Sequence, residues 1–97
     1  MDRSAILRLL NEHAQEIRSR FSVEGIGLFG SAARDELRAD SDIDVLVAFD
    51  GPATFEAYFG LKDYLEELFG RHVDLVTEKG LKQRARLVLE RDLIRVA

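Results

Sequence analysis

The chain has 97 residues, 46% apolar and 33% charged, with a formal net charge of −4 and no cysteine. That length predicts one domain over residues 1–97 with a single modest core. The acidic balance argues against a general nucleic-acid binder, which needs clustered Lys and Arg to neutralise phosphates. Without cysteine there are no disulfides, thiolate metal sites or cysteine nucleophile. No stretch approaches the roughly 20 apolar residues of a membrane span. Met1-Asp2-Arg3-Ser4 leads into a charged amphipathic segment, unlike a signal peptide. A soluble, cytoplasmic protein with no membrane contact is the expectation.

Residues 3–19 are predicted as a helix, with Ile6, Leu9, Leu10, His13 and Ile17 at three- and four-residue spacing and Asp2 or Ser4 as cap. The β-branched and aromatic run from Phe21 to Phe29 predicts a strand that stops at Gly30-Ser31. Residues 31–37 have the propensity for a short helix with Ser31 near its start, and Arg38 to Ser41 make a turn. From Asp42 to Phe49 a second strand follows, whose later half is apolar at every position, as in a strand covered on both faces.

Asp50-Gly51-Pro52 breaks the chain, and Pro52 is placed to open the next helix, expected from about Thr54 to Phe69. Its stripe is Phe55, Tyr58, Leu61, Leu65 and Leu68, with Gly70 suited to the position just past its end. His72 to Thr77 is a third short strand, and Leu81 to about Arg91 is helix-like. The tail from Leu93 to Ala97 fits either a helix extension or a short strand. The order α-β-α-β-α-β-α predicts a small mixed β-sheet of the α/β (α+β) class with helices packed on it.

The anomaly lies in the second strand. Side chains alternate across a strand, so Asp42 and Asp44 share a face that Leu46 and Ala48 continue as apolar. Asp74 repeats the arrangement between Val73 and Leu75. Carboxylates set into apolar strands repel one another and lose hydration, and a hard divalent cation such as Mg²⁺ relieves both costs. Two histidines and no cysteine leave little basis for zinc. An Asp-x-Asp pair alone is weak evidence, since a lone Asp at a strand start is usually a turn former.

Upstream, a strand ending in Gly30-Ser31 and opening into a helix presents unpaired backbone N–H groups, the arrangement that binds phosphate. Glycine there lets a phosphate approach the backbone, and Ser31 adds a hydroxyl. Ten residues separate this anion site from Asp42-Ile43-Asp44. A metal-bound nucleoside triphosphate needs both at once. Arg34 lies one turn past Ser31, where a phosphate contact and a surface ion pair with Glu36 or Asp40 are equally open. His13 reads as a packed histidine. His72 could lie near the metals, but a structural role is the better reading. The aromatic residues over 55–69 read as core. Lys79, Lys82, Arg84, Arg86, Arg91 and Arg95 form a basic C-terminal face, usually a solvated helix surface, which could also dock an acidic partner or an RNA end.

Read together, Leu28-Phe29-Gly30-Ser31-Ala32-Ala33-Arg34 and Ser41-Asp42-Ile43-Asp44-Val45-Leu46-Val47 resemble the nucleotidyltransferase superfamily that includes DNA polymerase β. More narrowly, the chain resembles the minimal nucleotidyltransferase (MNT) proteins, from its first helix through Leu61 to Glu66 and Val73 to Val76. The resemblance implies the nucleotidyltransferase fold. It implies that Gly30 and Ser31 hold the triphosphate of ATP, that Asp42 and Asp44 ligate two Mg²⁺ ions, and that Asp74 is the third carboxylate. Asp42, Asp44 and Asp74 would then be the catalytic set, acting in an in-line attack on the α-phosphate that releases pyrophosphate. Where many members have glycine after the arginine of the short helix, this chain has Asp35, an extra carboxylate near the expected triphosphate.

MNT proteins commonly pair with a HEPN-domain toxin, for which they are the antitoxin. The resemblance therefore implies a hetero-oligomer and AMP transfer to the toxin, at a tyrosine. A chain this size leaves the acceptor to be presented by a separate subunit. Two alternatives are a catalytically silent module that neutralises its partner by covering it, and, less favoured, a small-molecule nucleotidyltransferase. Nothing in the sequence reads a nucleobase.

Overall fold

The computed structural model describes residues 1–80 and 91–96. The expected helix from Leu81 lies, up to Glu90, outside the described residues, and with it much of the basic face.

Arg3–Phe21 forms helix α1. Asp2 caps it, its Oδ1 accepting from the Ala5 amide at 2.9 Å, so one of the orphan N–H groups of the first turn is satisfied. Ile6, Leu10 and Ile17 have no exposed surface, and they set the face that packs. The helix runs two residues past its expected end. Phe21, expected to open the strand, is instead its last residue and part of the core, and Ser22 ends it in a left-handed conformation at φ 56°.

The remaining elements are β1 (Val23–Phe29), α2 (Gly30–Ala33), β2 (Ile43–Phe49), α3 (Phe55–Phe69), β3 (Val73–Thr77) and β4 (Ile94–Arg95). They make one four-stranded sheet in the order β3-β2-β1-β4. β1 runs antiparallel to β2 and β4, and β2 runs parallel to β3. The mixed sheet with packed helices is as expected. The tail resolves as a strand that pairs Ile94 with Leu28 and Arg95 with Gly27.

Helices α1 and α3 share one face of the sheet. Ile43, Val45, Val47 and Phe49 of β2 join Ile26 and Leu28 of β1 and Val73 and Leu75 of β3 in a single cluster beneath Leu10 and Leu61. Leu46 is equally buried but lies outside that cluster, on the opposite face of the sheet with Asp44 and Ala48. The unbroken apolar run of β2 thus reflects burial on both sides, and the carboxylates belong to the side away from the helices.

Thr54 caps α3 by accepting from the Ala57 amide at 3.1 Å, so the helix opens there and not at Pro52. Gly70 closes it at φ 64°, as its position predicts. The expected stripe needs one correction. Leu61, Leu65 and Phe69 are buried, whereas Phe55 is 81% and Phe59 48% exposed, so these two are not core. At about 100° per residue, Phe55 falls roughly a quarter-turn off the Leu61–Leu65–Phe69 face. The two rings stack on each other instead, with centroids 5.3 Å apart.

These placements separate core from surface aromatics. Leu61→Ala is expected to lower the unfolding free energy by about 2–5 kcal/mol. Phe55→Ala should change it by less than about 0.5 kcal/mol, as surface changes usually do. Urea unfolding followed by circular dichroism measures both.

Candidate active site

Strand register brings the site together. In the β1–β2 ladder, Phe29 lies opposite Asp44, so the next residue, Gly30, turns directly over the Asp44 side chain. Gly30 has φ +68°, which favours glycine, and a Cβ built there would overlap the Asp44 carboxylate. The room that glycine leaves is taken by a carboxylate, where the sequence reading left it open for a phosphate. On the other flank, the parallel β2–β3 ladder pairs Asp44 with Asp74. Neighbouring strands lie about 4.8 Å apart, so the two side chains emerge side by side on one face. Asp42 sits just before β2 and is exposed, as is Asp74, while Asp44 is half-buried.

The electrostatics follow from this crowding. Burial, then the charges of Asp74 and Asp42 and a shared hydrogen bond with Asp74, push the Asp44 carboxyl up to about 6. The nearby Arg34 guanidinium offsets part of that push. Asp44 therefore holds its proton more tightly than a free carboxyl, chiefly because burial penalises its charged form and its two aspartate neighbours carry like charge.

Several groups that the sequence reading passed over hold the carboxylate-bearing segments in place. Arg71 donates from Nη2 to the Ser41 carbonyl at 2.7 Å and to the Arg38 carbonyl, which pins the turn that delivers Asp42. Glu66 accepts from the Val73 amide at 3.0 Å at the start of β3, one residue before Asp74. That hydrogen bond, with help from His72 and Lys62, draws the Glu66 carboxyl below its usual range. The Ile43 amide donates to the His72 carbonyl at 3.0 Å, locking the two strand starts together. The His72 ring itself is exposed and 3.4 Å from Glu66, outside the carboxylate cluster. His13 is a packed histidine as expected, its Nδ1 2.9 Å from the Leu9 carbonyl oxygen.

Helix α2 is a single turn, four residues against the seven expected. Its N-cap, Phe29, makes no side-chain capping bond. So short a helix has little macrodipole. Anion binding here would rest on the amides of the turn and the half-buried Ser31. Asp35 ends the turn at φ 60°, a conformation in which glycine is at ease and Asp is tolerated. Its Oδ1 accepts from the Arg3 amide at 3.0 Å, so this extra carboxylate is tied to the start of α1.

Arg34 makes ion pairs, one of them foreseen: Nε to Glu36 at 3.3 Å and Nη1 to Asp92 at 2.6 Å. The Asp40 alternative does not form. Asp92 was not singled out in the sequence. Its only signal there is an acidic residue within a basic C-terminal stretch.

The donor set of the cluster is all carboxylate and hydroxyl oxygen, which suits a hard divalent cation and disfavours zinc. Among the described residues, no three carboxylate or imidazole groups are already gathered tightly enough to enclose a metal ion. Asp44 and Asp74 form the close pair, with Asp42 on its rim. A cavity of about 300 Å³ opens at the far end of the sheet, between Phe49, Thr77 and Glu78, away from the aspartates. No described helix is long and apolar enough to cross a membrane.

A glycine-serine turn folded over paired carboxylates on a mixed sheet defines a class. The chain belongs to the nucleotidyltransferase domain family, whose model matches residues 10–96. It is 40% identical over 88 residues to the protein adenylyltransferase MntA of Thermococcus cleftensis, covering 91% of this chain and 89% of the relative. A solved structure described as a minimal nucleotidyltransferase superposes with a TM-score of 0.82 at 40% identity, over 97% of this chain and 95% of that one. The fold also recurs in a complex of a tri-AMPylated Shewanella oneidensis HEPN toxin with its MNT antitoxin, at a TM-score of 0.68 and 18% identity, covering 94% and 71% of the two chains. The resemblance read from the glycine-serine and double-aspartate spacing is borne out, and the chain is a nucleotidyltransferase.

Two outcomes follow from the carboxylate packing. A carboxyl raised from 3.8 to about 6 on folding binds its proton more tightly in the folded state. Stability is therefore lost as pH rises through that window and stays lower above it. Asp44→Asn should raise the melting temperature at pH 8, with the gain shrinking from pH 6 to pH 4. An equal gain at pH 4 would show that Asp44 carries no such penalty. Separately, Gly30→Ala should cost more than the roughly 1–2 kcal/mol of a left-handed backbone alone. In urea unfolding, that excess should shrink when Gly30→Ala is made in an Asp44→Ala background, which removes the carboxylate but keeps the Cβ 3.3 Å away.

Proposed function

We propose that the chain transfers AMP from ATP to a hydroxyl of a partner protein, a tyrosine of a HEPN-domain toxin, and acts as that toxin's antitoxin. The observation that carries this reading is the carboxylate cluster: three aspartates crowded at a glycine turn, with burial and the charges of Asp74 and Asp42 pushing the Asp44 carboxyl up to about 6. A site this unfavourable by itself is what a metal-bound triphosphate would relieve. The family, and the AMP-carrying toxin in the Shewanella oneidensis complex, supply the reaction type and the kind of acceptor.

The oxygen donors fit two Mg²⁺ ions. Asp42 and Asp44 would hold both, and Asp74 would complete the ion on the acceptor side. When bound, the ions supply charge neutralisation and Lewis-acid polarisation at the α-phosphate. The protein's own groups then do the positioning. The amides and hydroxyl of Gly30-Ser31 hold the β- and γ-phosphates, and Arg34 adds a cation beside them. The acceptor hydroxyl gives up its proton to solvent as its oxygen attacks the α-phosphorus in line, the bond to the bridging oxygen breaks, and pyrophosphate leaves. Fixing donors before the reaction is what makes such electrostatic stabilisation effective.

To test this, the chain is co-expressed with its HEPN partner, and the partner's mass is measured after incubation with ATP and Mg²⁺. The mass should rise in steps of one AMP, with no rise in EDTA or with Asp42→Asn/Asp44→Asn. A partner that binds but never gains AMP would overturn the proposal. Neutralisation surviving in the double variant would point to occlusion.

A further inference from the structure

An uneven ion-pair trio lies beside the cluster. Arg34 is an exposed arginine at the end of the one-turn helix α2, its main chain fixed by a bond from its amide to the Gly30 carbonyl at 3.1 Å. A side chain that long ordinarily samples many rotamers, and ordering it for a ligand is costly. Here two carboxylates from separate parts of the chain grip it. Glu36 takes Nε at 3.3 Å and is itself well exposed. Asp92 takes Nη1 at 2.6 Å, and its side chain is only 14% exposed, so it is the fixed member of the trio.

Strand pairing explains how Asp92 arrives there. In the antiparallel β1–β4 ladder, Arg95 faces Gly27 and Ile94 faces Leu28. Each step back along β4 is a step forward along β1. Two residues before Ile94, the chain has passed the end of β1 and stands beside the Gly30 turn. The ladder is held by a further bond from the Val96 amide to the Ile26 carbonyl at 2.9 Å. Gly27 permits the close approach, since a Cβ there would meet Leu93 Cδ1 at 2.8 Å.

A guanidinium has five N–H donors in a planar fork. Bonds from Nε and Nη1 fix the plane, and among the described residues Nη2 has no further carboxylate partner.

We propose that Asp92 is a positioning residue that holds the Arg34 guanidinium ready for the triphosphate, which makes strand β4 part of the nucleotide site. This rests on the reading that Gly30, Ser31 and Arg34 bind nucleotide. It adds that the C-terminal strand sets the affinity through one carboxylate on one arginine. Asp92 touches no nucleotide in this scheme and acts only through Arg34. Its loss is therefore felt as weaker binding of the triphosphate, with little change in the rate of the bound complex.

The experiment is a double-mutant cycle on the full chain, read as the Kd for ATP with Mg²⁺ by calorimetry, alongside the melting temperature of each variant. The variants are Asp92→Asn, Asp92→Glu, Arg34→Ala and Arg34→Ala/Asp92→Asn. Asp92→Asn should weaken binding about fivefold, the upper end of what a solvent-accessible ion pair contributes. Asp92→Glu should restore part of it, and the double variant should bind no worse than Arg34→Ala. KM for ATP should rise with kcat within about twofold. Wild-type binding together with unchanged affinity in Asp92→Asn overturns the role of Asp92, whatever its melting temperature does. Additive losses in the double variant overturn it too. A wild-type chain that binds no ATP removes the nucleotide reading itself, and this proposal with it.

Discussion

The antiparallel register of β1 and β2 is the constraint on which the rest depends. With Phe29 opposite Asp44, the first residue beyond β1 must pass directly over a carboxylate. Only a residue without a side chain, at ease at φ +68°, can make that passage. A register slip of one residue would turn Asp44 into the helix-covered core and bring Val45 out. The buried set Ile43, Val45 and Val47 against α1 and α3 forbids that slip. The core therefore fixes the register, and the register fixes the site.

The same packing is costly at the glycine turn, where it crowds like charges. Among the described residues no polar or charged residue is buried, and Asp44 is half-buried. Its raised pKa records an arrangement that folding alone does not favour. Proteins keep such local strain where a ligand relieves it. Around the aspartates, the supporting bonds are ordinary and well satisfied: Arg71 on the preceding turn, Glu66 on the start of β3, and the Ile43 amide on His72. Well-bonded surroundings thus hold a centre of crowded like charges.

Asp35 and Arg34 show how neighbouring residues divide. Asp35 follows Arg34 in the chain, yet the left-handed turn at φ 60° swings its carboxylate to the Arg3 amide. Arg34 instead lies between Glu36 and Asp92. The extra carboxylate that the sequence placed near the triphosphate thus serves as a tie between the α2 turn and α1. Its effect on the cluster is set by backbone conformation, which residue identity alone does not reveal.

Much of the molecule was legible from periodicity and composition. Three strands, the two long helices, the Asp2 cap and the Gly70 stop all follow from local rules, because capping, propensity and side-chain alternation act within a few residues. The proximity of Gly30-Ser31 to Asp42 and Asp44 was also legible, since a ten-residue spacing between neighbouring strands leaves few arrangements. Tertiary structure alone decided the rest. The exposure of Phe55 and Phe59 depended on the angle of α3 against the sheet, which a stripe of apolar letters does not specify. The pairing of Asp74 with Asp44 needed the parallel β2–β3 ladder, and the meeting of Asp92 with Arg34 needed β4 to return beside β1, across 58 residues of chain. Contacts between residues so far apart are settled by how the sheet closes, and no local pattern encodes them.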